Sequence, residues 1–440
     1  MRGLRNVLVG GVAVLGCGPE PAADESGSVD ETLGESGDGD GEPGDGDGES
    51  GDGDGEPGDG DGETGDGHCP PPDPPVGGTL EGEWAELPEP MLGPSCTLGE
   101  GDGPAWVDGA VVSESESGID WVALGVDGTL YAAGWIDDGA LAALVAGLRL
   151  GGGGPGGDQL WARSWTYAGD AWGARGVAAM GNGRVWLALA PEQLLAFDGT
   201  GALLEGPFEA VTVGSRYIGE IGVADDVLGM VVIQRETPPG CLERTRLELH
   251  DPTTAETLTA APSFIASTVF GLGGDAGGGG WLATLDLNGA ALTANHYDIE
   301  GASIGSFSVT NQGNNVIAAD MASVPDGDLV FAVRSLGFIE VQRFSPDGTQ
   351  QWNVMLPEFG GQYGEPQVAI DQDGDAVVAV TEGAGFLLAR VPANGTVEFA
   401  GHWSCDDPTE IRDVAVGSTG IWIGGTQMGA SSVGFVGNLE

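Results

Sequence analysis

The chain has 440 residues, among them 83 Gly and 26 Pro, and carries a formal net charge of −54. Gly at that density excludes an architecture of long helices, because each Gly inside a helix costs about 1 kcal/mol relative to Ala. Every basic residue is Arg, which excludes lysine Schiff-base chemistry, and the negative surface repels phosphate backbones, so no nucleic acid is expected as a partner.

Arg2 and Arg5 precede an apolar run from Val7 to Leu15 that is too short to span a bilayer but suits the core of a secretory signal. The run ends in Val14-Leu15-Gly16-Cys17. That string resembles a bacterial lipobox, and the resemblance implies cleavage after residue 16, a diacylglyceryl chain on the Cys17 sulfur and an anchor in a membrane. Gly18 in place of Asp at the next position implies sorting to the outer membrane, with the body facing the periplasm or the cell surface.

From Gly37 a seven-residue unit, GDGDGE followed by Pro, Ser or Thr, repeats four times and ends at Asp66-Gly67. It has no apolar side chain to bury and a carboxylate at nearly every second residue, so residues 17–68 are expected to form a disordered, self-repelling acidic linker. As a coil it spans about 40 Å. The unit lacks both the GGxGxDxUx pattern of calcium-binding β-rolls and any apolar residue to close a fold around an ion, so diffuse counterions are expected there and no specific metal site. Residues 69–100 read as a connecting segment.

Beyond residue 100 one local grammar recurs: a Val-Ala strand, a turn built on Gly or Asp-Gly, and a second strand rich in Val, Trp and Tyr. Its instances begin at Trp121 (VALGVDGTLYAAG), Gly176, Gly222, Val316, Gln367 and Asp413 (VAVGSTGIWIGG), with a degenerate copy from Val269 to Leu292. Each reads as a β-hairpin, with period-two apolar strands around a turn former. Most continue into a third apolar strand and a fourth that ends near an aromatic, as in the stretches starting at Phe338 and Phe386. Gly139 to Leu150 also fits a three-turn helix, but its place after a hairpin favours a third strand.

Seven starts spaced about 46 to 55 residues apart match the period of propeller blades. The last unit stops after its third strand, at Gly434-Phe-Val-Gly-Asn-Leu-Glu440, and Trp106-Val-Asp-Gly-Ala-Val-Val112 is available to supply the missing outer strand. The expected fold is therefore all-β, a propeller of seven four-stranded blades over residues 101–440, with a sandwich pair or an irregular solenoid as the competing architecture. VDGTLYAAG and GSTGIWIGG resemble the turn-and-strand core of the bacterial beta-propeller repeat family, which occurs in lipoproteins. That resemblance implies fold and export and no particular activity.

With Cys17 lipidated, Cys69, Cys96, Cys241 and Cys405 remain for two disulfides in an oxidising compartment. Four Cys allow three connectivities; the blade reading puts Cys241 and Cys405 on one face and favours Cys69 with Cys96 and Cys241 with Cys405. No CxxC or His pair suggests a metal site, and no cofactor is expected. The four His are scattered. Gly301-Ala-Ser-Ile-Gly305 matches GxSxG without a readable strand, turn and helix. Gly151 to Gly156 matches GxGxxG without a following helix. Asp371-Gln-Asp-Gly-Asp375 begins like a calcium loop, but Val377 and Ala379 occupy its later ligand positions, so a hairpin turn is expected.

In a propeller the loops joining outer strands to the next inner strands converge on one face. The residues expected there are Tyr167, Trp172, Arg175, Arg216, Tyr217, Asn314, Asn315, Tyr363, Glu365, Trp403, Asp407 and Arg412. Aromatics with Arg and carboxylates suit ligand recognition. The functional expectation is a monomeric, non-enzymatic envelope module contacting a protein or a glycan. The alternatives are a periplasmic scaffold without a ligand, and a propeller enzyme (hydrolase, lyase or quinone-dependent), for which no constellation is readable.

Overall fold

In the computed structural model the described residues are 82–88, 91–139, 141–149, 158–167, 173–189, 193–209, 216–224, 227–234, 244–251, 257–260, 268–275, 277–285, 291–310, 316–357, 363–418 and 420–440. Cys17, the acidic repeat, Cys69 and Cys241 lie outside them.

The described strands form seven antiparallel sheets, each a run of four sequence-adjacent strands or its equivalent, and so seven blades. Their inner strands are Glu116–Leu124 in blade 1, Ala174–Ala179 in blade 2, Arg216–Ala224 in blade 3, Thr268–Gly274 in blade 4, Ala318–Ser323 in blade 5, Tyr363–Ile370 in blade 6 and Thr409–Gly417 in blade 7. Each inner strand packs against the next, and the inner strand of blade 7 packs against that of blade 1, so the ring is closed. All seven starts read from the hairpin grammar fall on, or within two residues of, these strands. The ambiguous stretch after Gly139 is a strand, Leu141–Arg149, third in blade 1.

Blade 7 takes its first three strands from the C-terminus and its fourth from Trp106–Val111, which pairs with Ser432–Leu439. The Trp106 indole lies over Gly437, where a Cβ would sit 2.1 Å from the ring, so only Gly admits this strand at its observed spacing. Part of the segment read as a connection also joins the sheets. Gly82–Glu86 lies outside blade 1, Met91–Leu92 outside blade 7 and Cys96–Gly101 outside blade 6, each as a fifth strand.

The hairpin turns follow from Asx-Gly chemistry. Gly128 has a φ of 80°, a left-handed value that a side chain opposes, while Asp127 Oδ1 accepts the Thr129 N–H at 3.0 Å. The Asp371 to Asp375 segment is also a hairpin turn: Asp371 accepts the N–H groups of Asp373 and Asp375, each at 2.9 Å, and Arg390 donates to both Asp371 and Asp375. A guanidinium thus supplies the positive charge that a calcium loop takes from its ion.

Between blades the apolar faces of the second and third strands interleave. Trp186, Trp281, Phe331, Phe386 and Phe435 are fully buried there. Burial of such side chains contributes roughly 1.5 to 3 kcal/mol each. Polar clasps fix the angular register. Asp320 of blade 5 accepts the Val368 N–H of blade 6 at 2.8 Å, Thr381 of blade 6 accepts the Ile411 N–H of blade 7 at 2.8 Å, and Asp413 of blade 7 accepts the Val122 N–H of blade 1 at 2.7 Å.

A disulfide joins Cys96 to Cys405. This corrects the expected connectivity, in which Cys405 bonds to Cys241 and Cys96 to Cys69. The reason is the fifth strand of blade 6: Cys96–Gly101 runs antiparallel to Phe399–Cys405 and puts the two Cys directly opposite one another, with Cα atoms 4.1 Å apart.

Candidate functional site

The inner strands are not regular. In blade 1 the pairing slips between Ile119 and Trp121, leaving Asp120 as an extra residue. In blade 2 Arg175 is left over between Ala174 and Gly176, and in blade 7 Arg412 is left over between Ile411 and Asp413. In blade 6 the slip between Tyr363 and Pro366 accommodates Gly364 and Glu365. In blades 1 and 7 the bulge needs close backbone approach, and Gly in the neighbouring strand allows it. A Cβ on Gly134 would meet the Gly118 carbonyl oxygen at 1.9 Å, and one on Gly425 would meet the Glu410 carbonyl oxygen at 2.0 Å.

The inner strands of blades 3 and 4 slip as well, and all of these bulges fall between the beginning and the middle of their strands, toward the end of the ring where the inner strands begin. Arg334 reaches the same end from the second strand of blade 5, Leu329–Ser335, where it donates to the carbonyls of Tyr363 and, at 2.8 Å, Gly364. Five consecutive blades, 5, 6, 7, 1 and 2, therefore present Arg334, Glu365, Arg412, Asp120 and Arg175, an arc of alternating sign. Glu410 adds a third carboxylate, paired with Arg412 at 2.9 Å.

Exposure grades along the arc. Glu365 is exposed, Arg175 and Arg334 are half-buried, the Arg412 side chain is 21% exposed, and Asp120 is 5% exposed. Burial pushes the Asp120 carboxyl up to about 6; Arg412 and Arg175 pull it back, and Glu410 adds to the rise. Burial raises Glu365 as well, opposed by Arg412 and Arg334 and reinforced by Glu410, while burial lowers Arg334 against the pull of Glu365. Asp120 Oδ1, Arg412 Nε and Arg334 Nε are buried atoms without a hydrogen-bond partner among the described residues. Polar atoms of both kinds, an acceptor and donors, are thus held dehydrated along the arc, where each is costly to leave unpaired.

On the inner strands of blades 5 and 7, Asp320 and Asp413 are half-buried. Desolvation pushes them up to about 7 and about 8, against the two backbone N–H groups each accepts. Their carboxylates are taken up by the clasps between blades.

Of the residues expected on this face, the structure brings together Arg175, Glu365 and Arg412. Tyr363 lies beside them, its hydroxyl donating to the Pro357 carbonyl at 3.3 Å. Asp407 is exposed on the connection between blades 6 and 7 and accepts from Gln427 Nε2 at 3.0 Å. Trp403 is a correction: it is a fully buried core residue, stacked on Phe386 with ring centroids 5.6 Å apart, because it lies within the outer strand of blade 6 and the fifth strand covers it. Trp172, Asn314 and Asn315, and the side chains of Tyr167, Arg216 and Tyr217, lie outside what is described. Asp120, Arg334 and Glu410 are additions. A signal for the first was present, since Asp120, Arg175 and Arg412 each stand two residues before a Val-Ala pair.

Three His have structural partners: His250 with Glu248 at 3.3 Å, His296 with Asp275 and the Trp281 ring, and His402 with the Glu382 carbonyl. Among the described residues no three His, Cys, Asp or Glu side chains converge so as to hold a metal ion.

No family model and no curated protein matches the chain. Among solved structures it is similar to the WD40 domain from Toxoplasma gondii coronin, with 10% identity, 81% of this chain and 89% of that chain covered, and a TM-score of 0.49. It is also similar to the WD40 beta propeller domain of Doa1, with 12% identity, coverage of 78% and 96%, and a TM-score of 0.47. A third similar structure is BBS1N in complex with ARL6DN, with 12% identity, coverage of 77% and 98%, and a TM-score of 0.45.

Proposed function

We propose that the chain is an exported lipoprotein of the cell envelope, anchored through Cys17, whose propeller is a non-enzymatic module for binding a protein or glycan partner at the axial mouth. The observation that carries this reading is the arc of Arg334, Glu365, Arg412, Asp120 and Arg175. Holding Asp120 and the three Arg of this arc away from water costs stability that an inert ring has no need to spend. Anchoring is supported by the string Val14-Leu15-Gly16-Cys17 and by the acidic repeat directly after it, which would hold a bound domain off the bilayer.

The test has two parts. Cells expressing the chain are fed a clickable fatty acid, and label is expected on the wild type and absent from Cys17→Ala, which should leave the membrane fraction. A photo-crosslinking residue placed at position 407 is then expected to capture envelope material in intact cells. Label on neither form would remove the anchor; capture of nothing from position 407 or from a second position, 363, would leave a scaffold without a ligand.

A further inference from the structure

The rim of the ring is shielded unevenly. An outermost strand leaves a row of N–H and C=O groups open to pairing by another chain, and folded proteins blunt such edges with charge, proline, short strands or a covering segment. In blades 1, 6 and 7 the chain covers its own edge, with the fifth strands Gly82–Glu86, Cys96–Gly101 and Met91–Leu92. Blades 2, 3, 4 and 5 have no fifth strand among the described residues. The outer strand of blade 2, Leu203–Glu209, carries Glu205, Pro207 and Glu209, and that of blade 3, Thr257–Ala260, is only four residues long.

Blade 4 has none of these protections. Its outer strand, Ser303–Val309, reads SIGSFSV, seven residues with neither charge nor Pro. Ser303 to Ser306 and Ser308 are exposed, Ile304 by 54%, and a Cβ on Gly305 would meet nothing within 4 Å. The pairing with Leu292–Tyr297 slips at Ile304, so the regular part of the edge is Gly305–Val309. Phe307 pins that part in place, its ring centroid 5.2 Å from that of Phe344 and 5.7 Å from that of Trp281. A strand held in this way is ordered before it meets a partner, which removes much of the entropic cost of pairing.

Charge and symmetry select the occupant. A two-fold interface requires a surface complementary to itself. Antiparallel pairing of Gly305–Val309 with a second copy puts Phe307 opposite its own counterpart and Ser306 opposite Ser308, so no like charges meet along the ladder. It also carries the end of the strand next to Asp298 and Glu300 toward the far end of the other copy, where the sequence from Thr310 to Val316 is uncharged. The same operation on the outer strand of blade 5, Gln350–Met355, would set Asp347 against Glu358. We infer that the outer strand of blade 4 pairs with that of a second copy, joining two propellers rim to rim through one continuous sheet, in place of the monomer expected from the sequence. This contact is independent of what the axial mouth binds.

Sedimentation velocity of the full-length chain in detergent is expected to show a reversible dimer at about 10 to 100 µM, as fits an interface smaller than the roughly 1,200 Å² of stable complexes. Raising the salt from about 0.15 M to about 0.5 M should strengthen it, because two chains of net charge −54 repel and salt screens the repulsion. Ser306→Lys with Ser308→Lys should weaken association about tenfold or more, and so should Ser306→Glu with Ser308→Glu, since each sets like charges opposite one another. An equimolar mixture of the two variants should associate again. Gln350→Lys with Asn353→Lys, on the edge of blade 5, should leave the wild-type dimer unchanged. Melting temperatures measured alongside identify a variant that has lost its fold, and Ser308→Lys alone replaces it. A wild type that stays monomeric to about 200 µM at the higher salt would overturn the assignment and leave the strand to a chain of other sequence. A dimer indifferent to the lysine pair, or a mixture of folded variants that does not associate, would overturn it as well.

Discussion

The Asp413 carboxylate accepts the Val122 N–H at 2.7 Å, joining two residues 291 positions apart across the seam between the last blade and the first. Its other oxygen accepts the Val414 N–H at 2.8 Å. Asp413→Ala would orphan both buried donors, and each orphaned group costs about 1 to 3 kcal/mol. A loss of about 2 to 4 kcal/mol is expected in urea unfolding monitored by Trp fluorescence. A loss no greater than that of a matched exposed substitution, Asp347→Ala, would show that the clasp does not hold the seam.

The pH dependence follows from three desolvated acids. Asp120, Asp320 and Asp413 are pushed up to about 6, 7 and 8 from an ordinary value of 3.8. Between those limits the native state holds more protons than the unfolded chain, so stability falls as pH rises. The contribution is complete below about pH 4 and is lost as pH climbs through each native value. Asp198 and Asp275, held below their ordinary range by hydrogen bonds that outweigh burial, act in the opposite sense only in more acid solution. The melting temperature is expected to drop by about 5 °C or more between pH 5 and pH 8.5. Asp413→Asn should flatten the upper part of that profile; a wild-type curve rising toward pH 8.5 would be incompatible with the burial described.

Peptide mapping under non-reducing conditions should yield a fragment joining Cys96 to Cys405. Cys405→Ser is expected to cost about 2 to 5 kcal/mol, because the bridge closes a long loop. Cys241→Ser should leave that fragment intact; a wild-type fragment joining Cys405 to Cys241 instead would restore the other connectivity.

The glycines opposite the bulges permit a direct test of how the arc is built. Gly425→Ala would drive a methyl group into the Glu410 carbonyl, and Gly134→Ala into that of Gly118, backbone atoms that cannot step aside. Each is expected to destabilise by about 2 to 4 kcal/mol. Gly305→Ala, whose added carbon meets nothing within 4 Å, serves as the control and should be close to neutral. Equal effects at all three positions would mean that the bulges form without the glycines.

Sequence made the blades legible because their determinants are local. Asp127-Gly128 or Asp347-Gly348 sets a turn within four residues, and the alternating apolar positions on either side declare their strands. The closing strand was readable from a simple deficit, a last unit one strand short. The bulges were not, because they depend on what the adjacent strand carries: LYAAG and IWIGG end in the glycines that admit Asp120 and Arg412, yet nothing in either hairpin alone says so. The Cys96 to Cys405 bond was hidden for the same reason at longer range, since it follows from a fifth strand recruited across 309 residues. Trp403 misled because an aromatic near a loop suits both a binding face and a core, and the strand that buries it comes from the other end of the chain.

The outermost strands also decide how the protein responds to being pulled. Load applied from the N-terminal side would first strip Gly82–Glu86 and then Met91–Leu92 from the perimeter. Peeling would then halt at a covalent stop, the sulfur bridge from residue 96 into the outer strand of blade 6. The strand that completes blade 7 begins ten residues further on, at Trp106, and is shielded from that tension. Under such a pull the propeller can thus shed its outer trim while its ring stays shut.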